Sequence, residues 1–135
     1  MTPSDVKLLK TSNMLRLSYS NGEQFDLPAE YLRVHSPSAE VRGHGAAEPK
    51  LVFGKADVGI RTIAPVGHYA LKIVFDDGHD TGLYTWAYLH ELGREQADKW
   101  QAYLARLERE GKSRQPNPEQ KPKPNPNGPA FTELK

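Results

Sequence analysis

One stretch of the sequence organises the rest of the chain: FDDGHDTGLYTWAYLHEL, residues 75–92. It indicates the end of a strand, an acidic turn, a short second strand and the start of a helix. Asp and Gly at residues 76–78 suit a tight turn, and Thr85 is a favourable N-cap for a helix that starts at Trp86. The stretch also holds the chain's densest group of polar, aromatic and titratable side chains, so it marks the candidate site as well as a fold element.

The composition restricts the classes of function. The 135 residues carry 18 basic and 17 acidic side chains, a net charge of +1, and no cysteine. This balance argues against nucleic-acid binding through a general basic surface. The lack of cysteine excludes disulfides, thiolate catalysis and Cys-based zinc or iron–sulfur ligation by this chain alone. The apolar runs are too short for a membrane span, and the first residues lack the apolar segment of a signal peptide. We expect a soluble, cytoplasmic, bacterial protein with no nucleic-acid or membrane partner, as a monomer or weak homodimer.

Periodicity predicts an α+β domain, with a small antiparallel sheet of about five strands packed against two C-terminal helices. Asn21-Gly22 predicts a hairpin with a type I′ turn, which needs positive φ at both residues. Gly93 is expected to end the first long helix in a left-handed conformation. The strands are predicted at 14–19, 24–27, 60–64, 69–75 and 80–84, a short helix after Pro28, and long helices at 86–93 and 94–110.

Two apolar patterns predict which faces are buried. In the strongest strand, Tyr69, Leu71, Ile73 and Phe75 alternate and are expected on one face. In the last helix, one apolar stripe is expected, and it consists of Ala97, Trp100, Leu104 and Leu107.

Composition also divides the chain into three segments. Residues 1–12 are polar and are expected to be flexible, and residues 13–111 form the domain. Residues 112–135 are expected to be a disordered tail, since six prolines occur between 112 and 130 and no aliphatic side chain there is larger than alanine. Within the domain, residues 36–57 indicate a long loop, and loops of that length in small domains are often functional.

Three stretches carry a family resemblance: LRVHSPSAEVRGHG at 32–45, FDDGH at 75–79 and YTWAYL at 84–89. Over about residues 14–108 the chain resembles the gamma-butyrobetaine hydroxylase-like N-terminal domain. That domain occurs alone in bacteria with unknown function. It is also fused to the dioxygenases of carnitine synthesis and to some Mrp-type iron–sulfur carrier ATPases. The resemblance implies a β-rich α+β domain without catalytic activity of its own.

The resemblance also bears on metals. In the carnitine-synthesis enzymes the domain looks like a zinc-binding module with three cysteines and one histidine. By position, His79 matches that histidine, while Ser36, Ser38 and Val41 stand where the cysteines would be. The resemblance therefore implies that a structural zinc of this type is absent. It implies no hydroxylase activity either, because the iron and 2-oxoglutarate residues lie in a second domain that is not part of this chain.

Two metal hypotheses remain open on the residues themselves. His79 with Asp76, Asp77 and Asp80 could hold a divalent cation through one imidazole and two carboxylates. The alternative is an ordinary hairpin turn, because adjacent strand residues point to opposite faces. In the second hypothesis His35 and His44 join His79, with Asp77 nearby, to bind zinc or iron. Its alternative is two surface histidines.

The leading hypothesis is a non-catalytic protein-interaction or accessory module without a cofactor. Its partner surface would include the loop at 35–45, the Asp-Gly-His turn and the aromatic start of the helix. Iron–sulfur or cofactor-assembly machinery is a candidate partner by analogy with the fused relatives. The alternative is a zinc or iron carrier or sensor. The residues predicted to bind the partner are Arg33, Arg42, His44, Asp76, Asp77, His79, Trp86 and Tyr88.

Overall fold

The computed structural model of the protein describes residues 2–37, 51–79 and 82–116. Its elements are β1 (Asp5–Leu9), β2 (Met14–Ser18), β3 (Gln24–Pro28), α1 (Ala29–Val34), β4 (Ile60–Val66), β5 (Ala70–Phe75), β6 (Leu83–Thr85), α2 (Trp86–Arg94) and α3 (Gln96–Glu110). The α+β class, the antiparallel pairing and the two C-terminal helices are confirmed. The predicted single sheet is in fact two three-stranded sheets, β1-β2-β3 and β4-β5-β6.

The hairpin between β2 and β3 forms where Asn21-Gly22 predicts it, but with a different turn. Gly22 has φ of 95°, whereas Asn21 is not in the positive-φ region. The Gly22 N–H donates to the Tyr19 carbonyl at 3.0 Å, and the Tyr19 N–H to the Glu23 carbonyl at 2.9 Å. This is a three-residue loop with glycine in the left-handed position, in place of the two-residue type I′ turn.

The N-terminal residues include a strand where flexibility was expected. β1 pairs antiparallel with β2 in a register that sets Val6 against Leu17 and Leu8 against Leu15. Val6 and Leu8 are half-buried and pack against the core, while Asp5 and Lys7, which alternate with them, are exposed. The alternation is that of an edge strand with one covered face.

The second sheet has the long β5 in its centre. Leu71, Ile73 and Phe75 lie on its buried face as predicted, but Tyr69 precedes the strand and is 58% exposed. β4 continues to Val66, two residues beyond the predicted end, with an irregularity between Ile60 and Thr62. β6 is shorter than the strand predicted at 80–84, and Asp80 and Thr81 lie outside the described residues.

Both ends of α2 are set by local chemistry. The Thr85 hydroxyl caps the first turn by accepting from the Tyr88 N–H at 3.1 Å, as predicted. Gly93 is a helical residue, because α2 runs on to Arg94 and the cap residue is Glu95. A Cβ at Gly93 would clash with the Phe25 ring, so this glycine allows close packing and is not a helix stop.

The main core lies between the two sheets, α1 and α2. Its largest fully buried side chains include Tyr31, Leu32, Phe75, Tyr84 and Leu89. None of the helices in the described parts of the chain is long and apolar enough to cross a bilayer.

A second, smaller cluster involves α3. Val34, Tyr103 and Leu107 are buried there, with half-buried Trp100 and Leu104 against them. Ala97, which was predicted in the same stripe, is exposed. Leu51, Val52 and Phe53 also pack on this cluster, so the C-terminal part of the predicted 36–57 loop contributes to the fold.

Residues 112–116, which we call the C-terminal strap, pack on the domain although they were assigned to the tail. The N–H groups of Gly54 and Ala56 donate to the carbonyls of Ser113 and Arg114, each at 2.9 Å. The domain therefore extends past Gly111, the boundary that composition predicts. The other residues of the predicted tail, and residues 38–50, lie outside the described residues.

Candidate functional site

The turn at Asp76–His79 has the same backbone arrangement as the first hairpin. Gly78 has φ of 92°, its N–H donates to the Phe75 carbonyl at 3.3 Å, and the Phe75 N–H donates to the His79 carbonyl at 2.9 Å. Only glycine adopts this φ without strain. The sequence Asp-Asp-Gly-His thus fixes the directions in which Asp77 and His79 leave the turn.

His79 points inward and meets Ser36. Its Nε2 lies 2.9 Å from the Ser36 Oγ, and the two residues are only 8% and 2% exposed. Gly82 allows this pair to form, because a Cβ there would lie 2.8 Å from the Ser36 Oγ and 3.0 Å from the Tyr84 ring. The hydrogen bond joins the end of α1 to the turn that follows β5.

Asp77 points outward and joins three segments of the chain. Its Oδ2 accepts from Lys55 Nζ at 2.6 Å and from Arg33 Nε at 2.9 Å, and its Oδ1 from the His79 N–H at 3.1 Å. Burial by itself raises the pKa of the Asp77 carboxyl. The bonds from Lys55, the His79 N–H and Arg33 together outweigh that effect and lower the pKa to about 2. We call Arg33, Lys55 and Asp77 the Asp77 cluster.

The cluster is shielded but not enclosed. Its side chains are 12%, 23% and 20% exposed for Arg33, Lys55 and Asp77 respectively. Arg33 Nη1 is buried and has no hydrogen-bond partner within the described residues. Because an unpaired buried donor is costly, an acceptor placed at this nitrogen would stabilise the cluster.

His35 has a structural position between three helices. Its Nδ1 donates to the Tyr31 carbonyl at 2.9 Å, and its own carbonyl accepts from the Tyr88 hydroxyl at 2.6 Å. Its ring also lies near that of Tyr103 in α3. Burial lowers the pKa of His35, so at neutral pH the imidazole is uncharged. Tyr88 is half-buried, and its hydroxyl contributes to this contact between the helices.

The remaining predicted site residues belong to other contacts. The Asp76 carboxylate accepts from the Gly59 N–H at 2.9 Å. Trp86 is half-buried, and its indole N–H donates to the His68 carbonyl at 3.1 Å. The structure thus brings Arg33, Asp77 and His79 together, with Asp76 next to them in the turn. Arg42, His44, Ser38, Val41 and Asp80 lie outside the described residues.

Comparison with known proteins then places the chain. The model of the family described as gamma-butyrobetaine hydroxylase-like, N-terminal, matches residues 6–90. The chain belongs to this family. No curated protein is significantly similar to it.

Solved structures of similar chains agree with this assignment. Two proteins solved by NMR in solution are each 53% identical to the chain. The first has a TM-score of 0.76, and the match covers 86% of this chain and 91% of that one. The second has a TM-score of 0.73, and the match covers 85% of this chain and 86% of that one. A crystal structure from Acidithiobacillus ferrooxidans ATCC 23270 is 35% identical with a TM-score of 0.58, covering 68% of this chain and 92% of that one. It is described as a protein of unknown function of the DUF971 family, so no catalytic role is assigned to this relative.

The resemblance to the zinc-bearing members of the family can be checked at two positions. Ser36 and His79 were matched to a cysteine and a histidine ligand, and they are in contact here. Within residues 2–37, 51–79 and 82–116, no group of three or more His, Asp or Glu side chains is placed to hold a metal ion. The zinc or iron hypothesis that combines His79, His35, His44 and Asp77 includes a residue outside those ranges and stays a prediction.

Sequence reasoning missed two members of the site. Lys55 is one of them, and it lies 22 residues from Asp77 along the chain. Ser36 was considered only as the replacement of a cysteine, although it is the buried partner of His79. Apart from that family position, no spacing or motif marks either residue, because both contacts are made by loops brought together by the fold.

Proposed function

We propose that this family member is a non-catalytic interaction module that binds a partner protein through the Asp77 cluster and the turn at Asp76–His79. The observation that carries the proposal is the threefold anchoring of Asp77 by Lys55, Arg33 and the His79 N–H. Since it joins α1, the segment before β4 and the turn after β5, this partly exposed polar surface is held in one geometry. Pre-organised surfaces of this kind lose little entropy on binding.

The chemistry of the same groups supports binding over turnover. His79 Nε2 is engaged with Ser36 in a buried position, and the Asp77 carboxylate already accepts three hydrogen bonds. A general base needs a proton-accepting atom within reach of a substrate. Here both groups are occupied by contacts that hold the fold together.

The partner class to examine first is iron–sulfur or cofactor-assembly machinery. That choice rests on the fused architectures that the family resemblance implies, and not on a contact within this chain. The domain would then supply a docking surface, while the partner supplies any catalytic or carrier chemistry.

The test is site-specific photo-crosslinking in cells. A benzophenone amino acid at exposed residue 76 reports on the proposed surface, and the same amino acid at exposed residue 108 in α3 is the matched control. We expect a defined protein cross-linked at 76 and not at 108, with the cross-link lost in a folded Asp77→Asn background. The same products at both positions, or a cross-link that Asp77→Asn leaves intact, would contradict the proposal. So would a turnover that fails when His79 or Asp77 is changed.

A further inference from the structure

A small cavity lies beside the first turn of α1. It has a volume of about 210 Å³ and is lined by Pro28, Glu30, Tyr31, Gln96, Trp100 and Arg114. The pockets of drug-sized ligands start at roughly 300 Å³, so this cavity is of a size for a side chain or a small ion. The charged group and the aromatic rings in its lining indicate which kind of ligand it accepts.

The cavity contains a buried carboxylate. Glu30 lies in the first turn of α1 and is only 7% exposed. Its two oxygens accept from Arg114, Oε2 from Nε at 2.9 Å and Oε1 from Nη2 at 2.7 Å. This two-bond geometry matches a planar guanidinium, which an ammonium group cannot reproduce.

An aromatic wall completes the site. The guanidinium carbon of Arg114 lies 5.2 Å from the centre of the Trp100 ring, over its face. Tyr31 meets Trp100 edge-on, with ring centres 6.3 Å apart. A cation over an indole face is attracted by the ring's quadrupole. Carboxylate and indole together therefore select a flat cation.

The guanidinium that pairs with Glu30 at the wall of this cavity belongs to a segment on the surface. The Arg114 side chain is 43% exposed, against 8% for that of Glu30. The C-terminal strap, which carries Arg114, is held on the surface by the two backbone hydrogen bonds from Gly54 and Ala56. In the same strap, Lys112 Nζ lies 5.0 Å from the centre of the Phe53 ring. The acceptor is thus part of the core, while the donor reaches it from the surface.

We propose that Glu30 and Trp100 at the wall of this cavity form a guanidinium-binding site, that Arg114 is its intramolecular ligand, and that an arginine side chain of a partner protein takes the place of Arg114. This inference rests on the proposed function for the nature of the partner, but not for the chemistry of the site. Exchange would couple binding at Glu30 to release of the strap, because Arg114 is the residue through which the strap meets α1.

The site itself is tested with methylguanidinium chloride as probe. In Arg114→Ala we expect saturable NMR shifts of the Trp100 indole N–H. The concentrations should be at least roughly tenfold below those needed in the unmodified protein, because an intramolecular ligand competes at high effective concentration. The matched control, Glu30→Gln with Arg114→Ala, should show no saturable shift. Equal responses of these two variants, or none in Arg114→Ala, would overturn the proposal.

A second measurement applies even where Arg114→Ala is poorly folded. Millimolar methylguanidinium should raise its Tm relative to sodium chloride at the same ionic strength, and should not do so when Glu30 is also Gln. A Tm unaffected by the probe overturns the proposal. A peptide with one arginine should then compete with the probe, while the same peptide with lysine should not. If the arginine peptide fails to compete, an arginine side chain of a partner protein is excluded as the ligand.

The outcomes separate this inference from the proposed function. Binding of methylguanidinium without a cross-linked partner at residue 76 supports the cation site alone. A cross-linked partner without binding of the probe supports the Asp77 surface and removes the cation site.

Discussion

The hydroxyl of Ser36 and the imidazole of His79 share a buried hydrogen bond that ties α1 to the turn after β5. Replacing Ser36 with alanine removes the hydroxyl that takes part in this bond. A side-chain hydrogen bond contributes about 0.5–1.5 kcal/mol net to stability. We expect Ser36→Ala to lower the free energy of unfolding by that amount, measured by urea denaturation.

The matched control is Ser20→Ala, at an exposed position in the first hairpin loop. It should change the unfolding midpoint little, as surface substitutions usually do. If Ser36→Ala and Ser20→Ala shift the midpoint equally, the bond between Ser36 and His79 contributes nothing net to stability.

Asp77 predicts a dependence of stability on acid. Its pKa falls from 3.8 to about 2 in the folded protein. Stability from this group is therefore complete above about pH 5 and is lost as the pH falls through 4 towards 2. The shift of about two units corresponds to at most about 2.5 kcal/mol, which partial exposure reduces to about 1–2 kcal/mol.

The measurement compares the unmodified protein with Asp77→Asn by denaturant unfolding between pH 7 and pH 2. The difference in unfolding free energy should be constant above pH 5 and shrink below pH 4. Asp5→Asn, at an exposed carboxylate in β1, is the control. A difference between the unmodified protein and Asp77→Asn that stays constant down to pH 2 would show that the cluster does not hold Asp77 ionised.

At the scale of elements, α2 packs on β3 through Gly93 and Phe25. Alanine favours a helix over glycine by about 1 kcal/mol, so Gly93→Ala would stabilise an isolated helix. In the protein its Cβ would clash with the Phe25 ring, and overpacking costs about 1–3 kcal/mol. We expect net destabilisation of up to about 2 kcal/mol, measured by urea denaturation.

A double-mutant cycle with Phe25→Leu separates the two effects. The smaller side chain should relieve the clash, so that Gly93→Ala costs less in the Phe25→Leu protein than in the unmodified one. If Gly93→Ala lowers the free energy of unfolding equally in both proteins, the contact with Phe25 is not the reason that glycine is required at residue 93.

The elements that the sequence predicts best are those with local causes. Asn21-Gly22 and Asp77-Gly78 each mark the turn between two antiparallel segments, because a glycine with positive φ closes both turns. The type of the first turn could not be predicted, since the three-residue loop takes in Ser20 as well. β1 was missed because Val6 and Leu8 alternate with the charged Asp5 and Lys7, and an edge strand with one covered face leaves a weak signal.

At the scale of the whole molecule, predictability falls with separation along the chain. Arg33, Asp77 and His79 were named from motifs, and the structure brings them together. Lys55 was not, and neither was the pair of Glu30 and Arg114, which lie 84 residues apart. Proline content predicted a tail from residue 112, but composition cannot show that Arg114 pairs with a carboxylate buried in α1.

The position of the C-terminal domain boundary therefore leads to a prediction about the free energy of unfolding. A protein that ends at Gly111 lacks Arg114 and leaves the buried Glu30 carboxylate unpaired, whereas one that ends at Pro116 keeps the C-terminal strap. Loss of one partner of a fully buried ion pair costs about 3–5 kcal/mol. Because Arg114 is half-exposed, we expect about 2 kcal/mol between the two truncated proteins in urea denaturation. Glu30→Gln should recover part of this loss in the shorter protein, since it removes the unpaired charge. Equal unfolding midpoints for the two truncated proteins would mean that the domain ends at Gly111 and that the C-terminal strap does not contribute to stability.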